Sequence, residues 1–300
     1  MNISIILLIF NRPETTKKVI EVIRHIEPSH LFVVADGPRH GRDGDAKKCG
    51  HARSVIESID WKCQVHKNFS EVNLGCAKRV SSGLDWAFSI TDNAIILEDD
   101  CVPHPSFFQY CDELLTRYAD DERVMSISGL SVPASHQRDN YSYQFSHFHR
   151  CWGWATWRRA WEHYDYDMRL WPQIVEGNLL NELFPEKRVA DFWYKKFQGV
   201  YDEKINSWAY RWMLTCWLQS GLSILPAANL ISNIGFGLDA TNTVNDSFAA
   251  QLSAKKMNFP LRHPPYIVRD LKADLYIQRT RHSADFAYRV ERKLKKLLNV

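Results

Sequence analysis

Short apolar runs recur along the first 130 residues, and each ends abruptly in polar sequence. Ile3-Ser4-Ile5-Ile6-Leu7-Leu8-Ile9-Phe10 stops at Asn11-Arg12-Pro13-Glu14-Thr15. Leu31 to Ala35 stops at Asp36-Gly37-Pro38, and Ala94 to Leu97 runs into three acids, Glu98-Asp99-Asp100. Runs this short and rich in Ile and Val predict buried strands. Gln64 to Phe69 and Val124 to Ser128 read as two more. Helical spacing separates them. Val19, Ile20, Ile23 and Ile26 share a face behind the start signal Pro13-Glu14. Further helices are predicted from Asp45 to about Ile59, from about Ala77 with Val80, Leu84 and Phe88, and from Pro105 to Tyr118.

Strands alternating with helices predict an α/β fold, a Rossmann-like mixed, mostly parallel sheet with helices on both faces. Such sheets bind ligands beyond the carboxyl ends of their strands. Three of those ends carry Asn11-Arg12, Asp36 and the acid triplet. Ordinary polar loops explain each alone, but not all three at one edge. Acids at the mouth of a strand either cap the next helix or hold a cation.

After Gly129 the pattern changes. Ser131 to Tyr143 reads as polar loop, and His147 to Trp161 is dense in Trp. Trp154, Trp157 and Trp161 lie three and four apart, which predicts one helix face. That face is either packed core or a wall on which a sugar stacks. A helix over Ser207 to Gln219 repeats the theme with Trp208, Trp212 and Trp217, and Ile224 to Pro226 is strand-like. The Gly-rich loop Asn233 to Asn242 lacks a following Gly-Lys-Ser and is no P-loop. In the tail, Phe286, Val290, Leu294 and Leu297 recur among Arg289, Arg292, Lys293, Lys295 and Lys296. This predicts a basic amphipathic helix over Ala284 to Val300, docked on its own domain or attached to an anionic membrane surface.

Composition narrows the picture. A chain of 300 residues makes one large α/β domain or two small ones sharing a cleft. A net charge of +3 gives no argument for nucleic acid. The 7 Cys are odd in number and form no C-x-x-C pair, which suits free thiols in a reducing, cytoplasmic compartment. The first apolar run has no basic flank or cleavage site and is too short to span a bilayer.

Four pieces, in this order, carry a likeness: Phe10-Asn11-Arg12-Pro13, Asp36-Gly37, Asn73-Leu74-Gly75 with Lys78-Arg79, and Glu98-Asp99-Asp100. Together they resemble a GT-A fold glycosyltransferase related to glycosyltransferase family 2. The triplet is similar to the Glu-Asp-Asp motif of the N-acetylglucosaminyltransferase I type. The likeness covers roughly residues 1–130, while Gly153-Trp154 and Ser207 to Trp212 match an acceptor half more loosely. It implies a nucleotide-sugar half over 1–130, an acceptor half of the same globule over 131–260, and an extension over 261–300.

The resemblance also implies roles. Phe10, Asn11, Arg12 and Asp36 would hold uracil and ribose, with Lys78 and Arg79 near the donor. Asp99 would face the ribose or the sugar, Asp100 would hold Mn2+ or Mg2+, and Trp154 and Trp208 would meet the acceptor. The implied activity is metal-dependent, inverting transfer of a hexosyl or N-acetylhexosaminyl group from a UDP-sugar to a glycan or lipid-linked glycan. Polysaccharide biosynthesis at the inner face of the cytoplasmic membrane is the implied setting.

The chemistry agrees. A divalent ion stabilises charge on a leaving diphosphate, and the diphosphate and water supply most of its ligands. The anomeric carbon becomes oxocarbenium-like, and a carboxylate takes the proton of the attacking hydroxyl. The sequence departs from the family at that carboxylate. The related enzymes carry an acid near the head of the acceptor-side helix, where this chain has Asn206-Ser207-Trp208-Ala209. Asp202 and Glu203 are the nearest substitutes, and Asp239 and Asp191 are others. Two further readings stay open. One is a sugar-nucleotide nucleotidyltransferase, although Asn11 to Thr15 lacks the Gly-rich basic loop such enzymes carry. The other is a glycan-binding protein on a catalytically dead scaffold.

Overall fold

A computed structural model describes residues 3–133, 141–236 and 252–282. The first half alternates as the apolar pattern predicts. It runs β1 (Ser4–Ile9), α1 (Pro13–Arg24), β2 (His30–Ala35), α2 (Asp45–Ser54), β3 (Gln64–Phe69), α3 (Cys76–Phe88), β4 (Asn93–Glu98), β5 (Cys101–Pro103), α4 (Ser106–Arg117) and β6 (Val124–Ser128). The second half adds β7 (Tyr143–Ser146), β8 (Trp154–Trp157), α5 (Arg158–Trp161), α6 (Trp171–Glu176), α7 (Leu179–Leu183) and α8 (Lys187–Tyr201). It closes with α9 (Trp208–Leu218), β9 (Leu222–Pro226), β10 (Ile231–Asn233) and α10 (Leu271–Arg281).

Eight strands form one sheet in the order β3-β2-β1-β4-β8-β6-β9-β7. Strands β3, β2, β1 and β4 are parallel, β8 lies antiparallel between β4 and β6, and β9 runs parallel to β6. Alternation along β1 feeds two layers. Ile5, Leu7 and Ile9 pack with Ile20, Ile23 and Leu114 from α1 and α4. Ile6 and Leu8 pack on the other face with Leu84, Trp208 and Trp212 from α3 and α9. A third apolar cluster joins Leu180, Trp193, Phe197, Trp217 and Ile277 beneath α8.

The Trp-dense stretch corrects the sequence reading. Trp154 and Trp157 lie on a strand, and a spacing of three puts them on opposite faces. Trp154 joins the layer of Leu84 and Trp212, while Trp157 joins that of Leu114. Only Trp161, on the short α5, returns to the side of Trp154. The expected basic tail helix over 284–300, and Asp239 in the Gly-rich loop, lie outside the described residues. Among the described residues no helix is long and apolar enough to cross a membrane.

Candidate active site

Strand register assembles the site. Ile9 lies beside Ala35, and Leu8 lies beside Glu98. Residues 10, 36 and 99 therefore leave the sheet at one edge. A cleft of about 570 Å³ opens there, between these strand ends and the segment Ile205 to Tyr210 that leads into α9.

The cleft floor is acidic. Asp99 Oδ2 accepts the Phe10 amide at 3.0 Å. Arg12 Nη1 donates to Asp100 Oδ2 at 2.6 Å and lies 3.8 Å from Asp99 Oδ1. Asn233, brought in by the antiparallel pairing of β10 with β5, donates to Asp100 Oδ1 at 3.2 Å. Gly235 seals this corner, since a Cβ there would meet Asp100 Oδ2 at 2.0 Å. Burial, then the charges of Asp100 and Asp99, push Glu98 up to about 8. Burial and Asp100 push Asp99 up to about 7, against the pull of Arg12. One guanidinium for three carboxylates leaves the floor short of positive charge. A hard, oxygen-seeking divalent ion fits that deficit, and Asp100 could hold it once Arg12 or Asn233, which occupy its two oxygens, gives way. Among the described residues no group of three or more His, Cys, Asp or Glu could hold a metal by itself, so ligand and water oxygens would complete the shell.

Asp36 is a bracket. Its Oδ1 accepts the amides of Gly37 at 2.9 Å and Leu74 at 2.8 Å. Its Oδ2 accepts Gly75 N at 3.0 Å and Asn73 Nδ2 at 3.1 Å. Four donors match the acceptor capacity of a carboxylate. They hold the turn before α3 against the end of β2. Gly75 sits in that turn at φ +77, where its missing Cβ would meet Asn206 Nδ2 at 2.8 Å. Asn206 Oδ1 in turn accepts Ala77 N at 2.8 Å and caps the first turn of α3 from the opposite wall.

Phe10, Arg12, Asp36, Arg79, Asp99 and Asp100 line the cleft, as does Trp208 on the far wall, of which only 2% is exposed because most of its ring is core. Asn11 and Lys78 do not. Asn11 donates to Asp45 Oδ1 at 2.8 Å, and Lys78 is exposed. Arg79 is anchored by Asn68, whose backbone and side-chain oxygens both accept its Nη2 at 2.7 Å. Arg39 also lines the cleft, with its guanidinium carbon 5.3 Å from the centre of the Phe10 ring. Its two-pronged pairing with Asp45 holds that carboxyl well below the usual carboxylate range. Arg39 was not singled out from sequence, and Asn73, Asn206, Tyr210 and Asn233 figured there only within longer segments, without a role of their own; they reach the cleft through loops and long-range pairing.

Two acceptor-side expectations change. Trp154 is 0% exposed and stacks on Trp208, with centroids 5.3 Å apart, so it is core and presents no face to a sugar. Asp202 and Glu203 are exposed and outside the cleft lining. Asp202 is held by Gln198 and Lys204 at 2.7 and 2.9 Å. Ending α8 before β-like Ser207 turns both acids away, and the uncharged Asn206 and Ser207 face the cleft instead. Asp191 pairs with Lys187 at 3.1 Å, also outside this lining. The carboxylate of Glu98 lines the cleft and accepts no hydrogen bond among the described residues.

No protein-family model and no curated protein matches this sequence. Among solved structures, a UDP-glucose pyrophosphorylase complexed with UDP-glucose is 13% identical over 54% of this chain and 71% of its own, at a TM-score of 0.30. An apo UDP-glucose pyrophosphorylase is 12% identical over 53% and 79%, at 0.32. Mouse xyloside xylosyltransferase 1 in its apo form is 9% identical over 71% and 81%, at 0.34. A likeness this shallow carries nothing about activity.

Proposed function

We propose that the chain is a transferase acting on nucleotide sugars. Within that class we read it as an inverting glycosyltransferase that moves a sugar from UDP to a glycan or lipid-linked glycan. One observation carries the reading. The ends of β1, β2 and β4 converge on one cleft whose acidic floor is short of positive charge, opposite a separate wall at the head of α9.

In this reading the nucleotide lies over Phe10 and Arg39, against the loop that Asp36 holds. A divalent ion on Asp100 would supply charge stabilisation to the leaving diphosphate. Arg12, already on Asp100 and near Asp99, adds a fixed positive charge beside that group. The acceptor enters past Ser207, Trp208 and Tyr210. Its hydroxyl oxygen bonds to the anomeric carbon, the bond from that carbon to the diphosphate breaks, and the hydroxyl proton passes to a carboxylate. Among the described residues Glu98 is the cleft carboxyl that accepts no hydrogen bond; with its pKa pushed up to about 8 it takes that proton in its ionised form, which rising pH favours.

A glycan-binding scaffold is the second reading, favoured by the absence of any acid on the wall from Ile205 to Tyr210. UDP release from a panel of UDP-sugars, with Mn2+ or EDTA and with or without oligosaccharide acceptors, separates the two. Donor hydrolysis or transfer supports the enzyme. Oligosaccharide binding without turnover supports the scaffold. Formation of UTP from UDP-sugar and pyrophosphate would make it a nucleotidyltransferase.

A further inference from the structure

A second groove adjoins the cleft and shares a wall with it. It runs along one face of α8, and its lining holds Lys187, Arg188, Lys195 and Lys196 against a single acid, Asp191. The spacing explains the face. Residues 187, 188, 191, 195 and 196 recur three to five apart on a helix whose opposite side buries Ala190, Trp193, Phe197 and Val200. Ile205 lines both groove and cleft. Its amide donates to Gly199 O at 2.9 Å, so the chain leaves the end of α8 and passes directly into the cleft wall. Lys196 marks the junction, with Nζ 5.2 Å from the centre of the Tyr210 ring, and Tyr210 lines the cleft.

The groove is basic, whereas the cleft, with Arg12, Arg39 and Arg79 against Asp36, Glu98, Asp99 and Asp100, is nearly balanced over its whole lining and acidic at its floor. The cleft floor is acidic, and in the proposed reaction it also carries a diphosphate. An anionic acceptor approaching that floor is repelled, unless cations along its path offset the repulsion. A neutral acceptor needs no such path. Resting on the glycosyltransferase reading above, we propose that the α8 groove holds an anionic group, phosphate or carboxylate, on the acceptor glycan. The acceptor lies across Ile205 and Tyr210, with its reacting hydroxyl in the cleft and its anion over Lys195 and Lys196. Exposed ion contacts are individually weak, so several on one group give about a tenfold preference, and salt reduces it.

The test uses the full chain and three labelled probes: maltotriose, its 6-phosphate and its uronate analogue. Binding is measured in the presence of Mn2+ and UDP, and UDP affinity is measured on the same samples. At least one anionic probe is expected to bind about tenfold tighter than maltotriose at low salt. Comparing the phosphate and uronate arms shows which anion the groove prefers. The preference should vanish in Lys195→Gln/Lys196→Gln and persist in Lys17→Gln/Lys18→Gln, an exposed pair on α1. Equal binding of all three probes, no binding of either anionic probe at millimolar concentration, or a preference that survives Lys195→Gln/Lys196→Gln would overturn the proposal. So would retention on anionic vesicles that is lost in this variant while the probes show no preference, because the groove would then be a lipid surface. If UDP binds normally in those samples, the acceptor inference alone has failed. If wild-type protein binds no UDP, the underlying reading has failed.

Discussion

Replacing Asp36 by Asn keeps the shape of the side chain and exchanges one acceptor oxygen for a donor amide. The native carboxylate receives two donors on each oxygen, Gly37 N and Leu74 N on one and Gly75 N and Asn73 Nδ2 on the other. Whichever way the new amide turns, its NH2 faces two N–H groups. Asn73 could flip its own amide to escape, but it would lose its bond to Gly37 O at 2.8 Å. Hydrogen bonds to a charged group contribute about 1.5–3 kcal/mol each, so two lost bonds sum to about 3–6. Bonds within one network do not add, and water at the cleft edge replaces part of the loss. The expected destabilisation is about 2–4 kcal/mol. Urea unfolding without ligand should show a lower midpoint at unchanged slope. Calorimetry should show UDP affinity down about tenfold or more, because the turn before α3 borders the cleft. Stability within about 0.5 kcal/mol of wild type would refute the bracket. Weakened UDP binding with unchanged stability would instead favour a direct contact between Asp36 and uracil, as the family resemblance implies.

Other expectations follow from the same geometry. Asp100→Asn should reduce metal-stimulated UDP release by about a hundredfold or more with an unchanged circular dichroism spectrum, and full activity in EDTA would remove the metal from the scheme. Glu98→Gln should lower kcat by about 10²–10⁴-fold, while Asp202→Asn and Glu203→Gln, which do not line the cleft, should stay near wild type. The reverse pattern would move the base to the end of α8. Burial, aided by Arg150, pushes His149 down to about 3, below an ordinary value near 6.5. The unfolded chain therefore binds the extra proton between these values, and stability should fall as pH drops below about 6.5, by up to about 1.4 kcal/mol per unit. His147, pushed down to about 4, adds to that slope, and Asp274, raised to about 6, opposes it between about pH 4 and 6. The difference between wild type and His149→Gln isolates the His149 part, and parallel pH profiles would contradict its buried, neutral state.

The parts legible in the sequence are those in which one local pattern decides the outcome. Strands β3 and β6 lie on the residues read from the chain, Gln64–Phe69 and Val124–Ser128. The apolar runs of β1, β2 and β4 end where their polar neighbours enter the cleft. The Trp-dense stretch misled because spacings of three and four fit a helix, and no local signal shows that β8 inserts between β4 and β6. Helix α8 did leave a signal: Ala190, Trp193, Phe197 and Val200 recur three and four apart and all are buried. Strands β5 and β10, three residues each, are too short for any period. Their pairing nevertheless carries Asn233 to Asp100, a contact spanning 133 positions.

The two halves of the cleft are tied by hydrogen bonds rather than by chance proximity. Asp36 holds Leu74 and Gly75, and Gly75 opens the helix whose Ala77 amide is capped by Asn206. Asn206 belongs to the far wall, one residue before Ser207, which caps α9 by accepting the Tyr210 amide at 3.4 Å. A side chain at position 75 would strike Asn206, so the approach of the two walls depends on glycine there. The end of β2 and the head of α9 are thus joined through three short links made by backbone and polar side-chain groups. Anything that orders the Asn73 to Gly75 turn also fixes the wall past which an acceptor would enter. A loosened turn would free Asn206 but not Trp208, which stacks on a Trp154 that is itself locked between β4 and β6. That asymmetry, a rigid ring behind and a hydrogen-bonded turn in front, makes the front of the wall the part able to respond to a bound nucleotide.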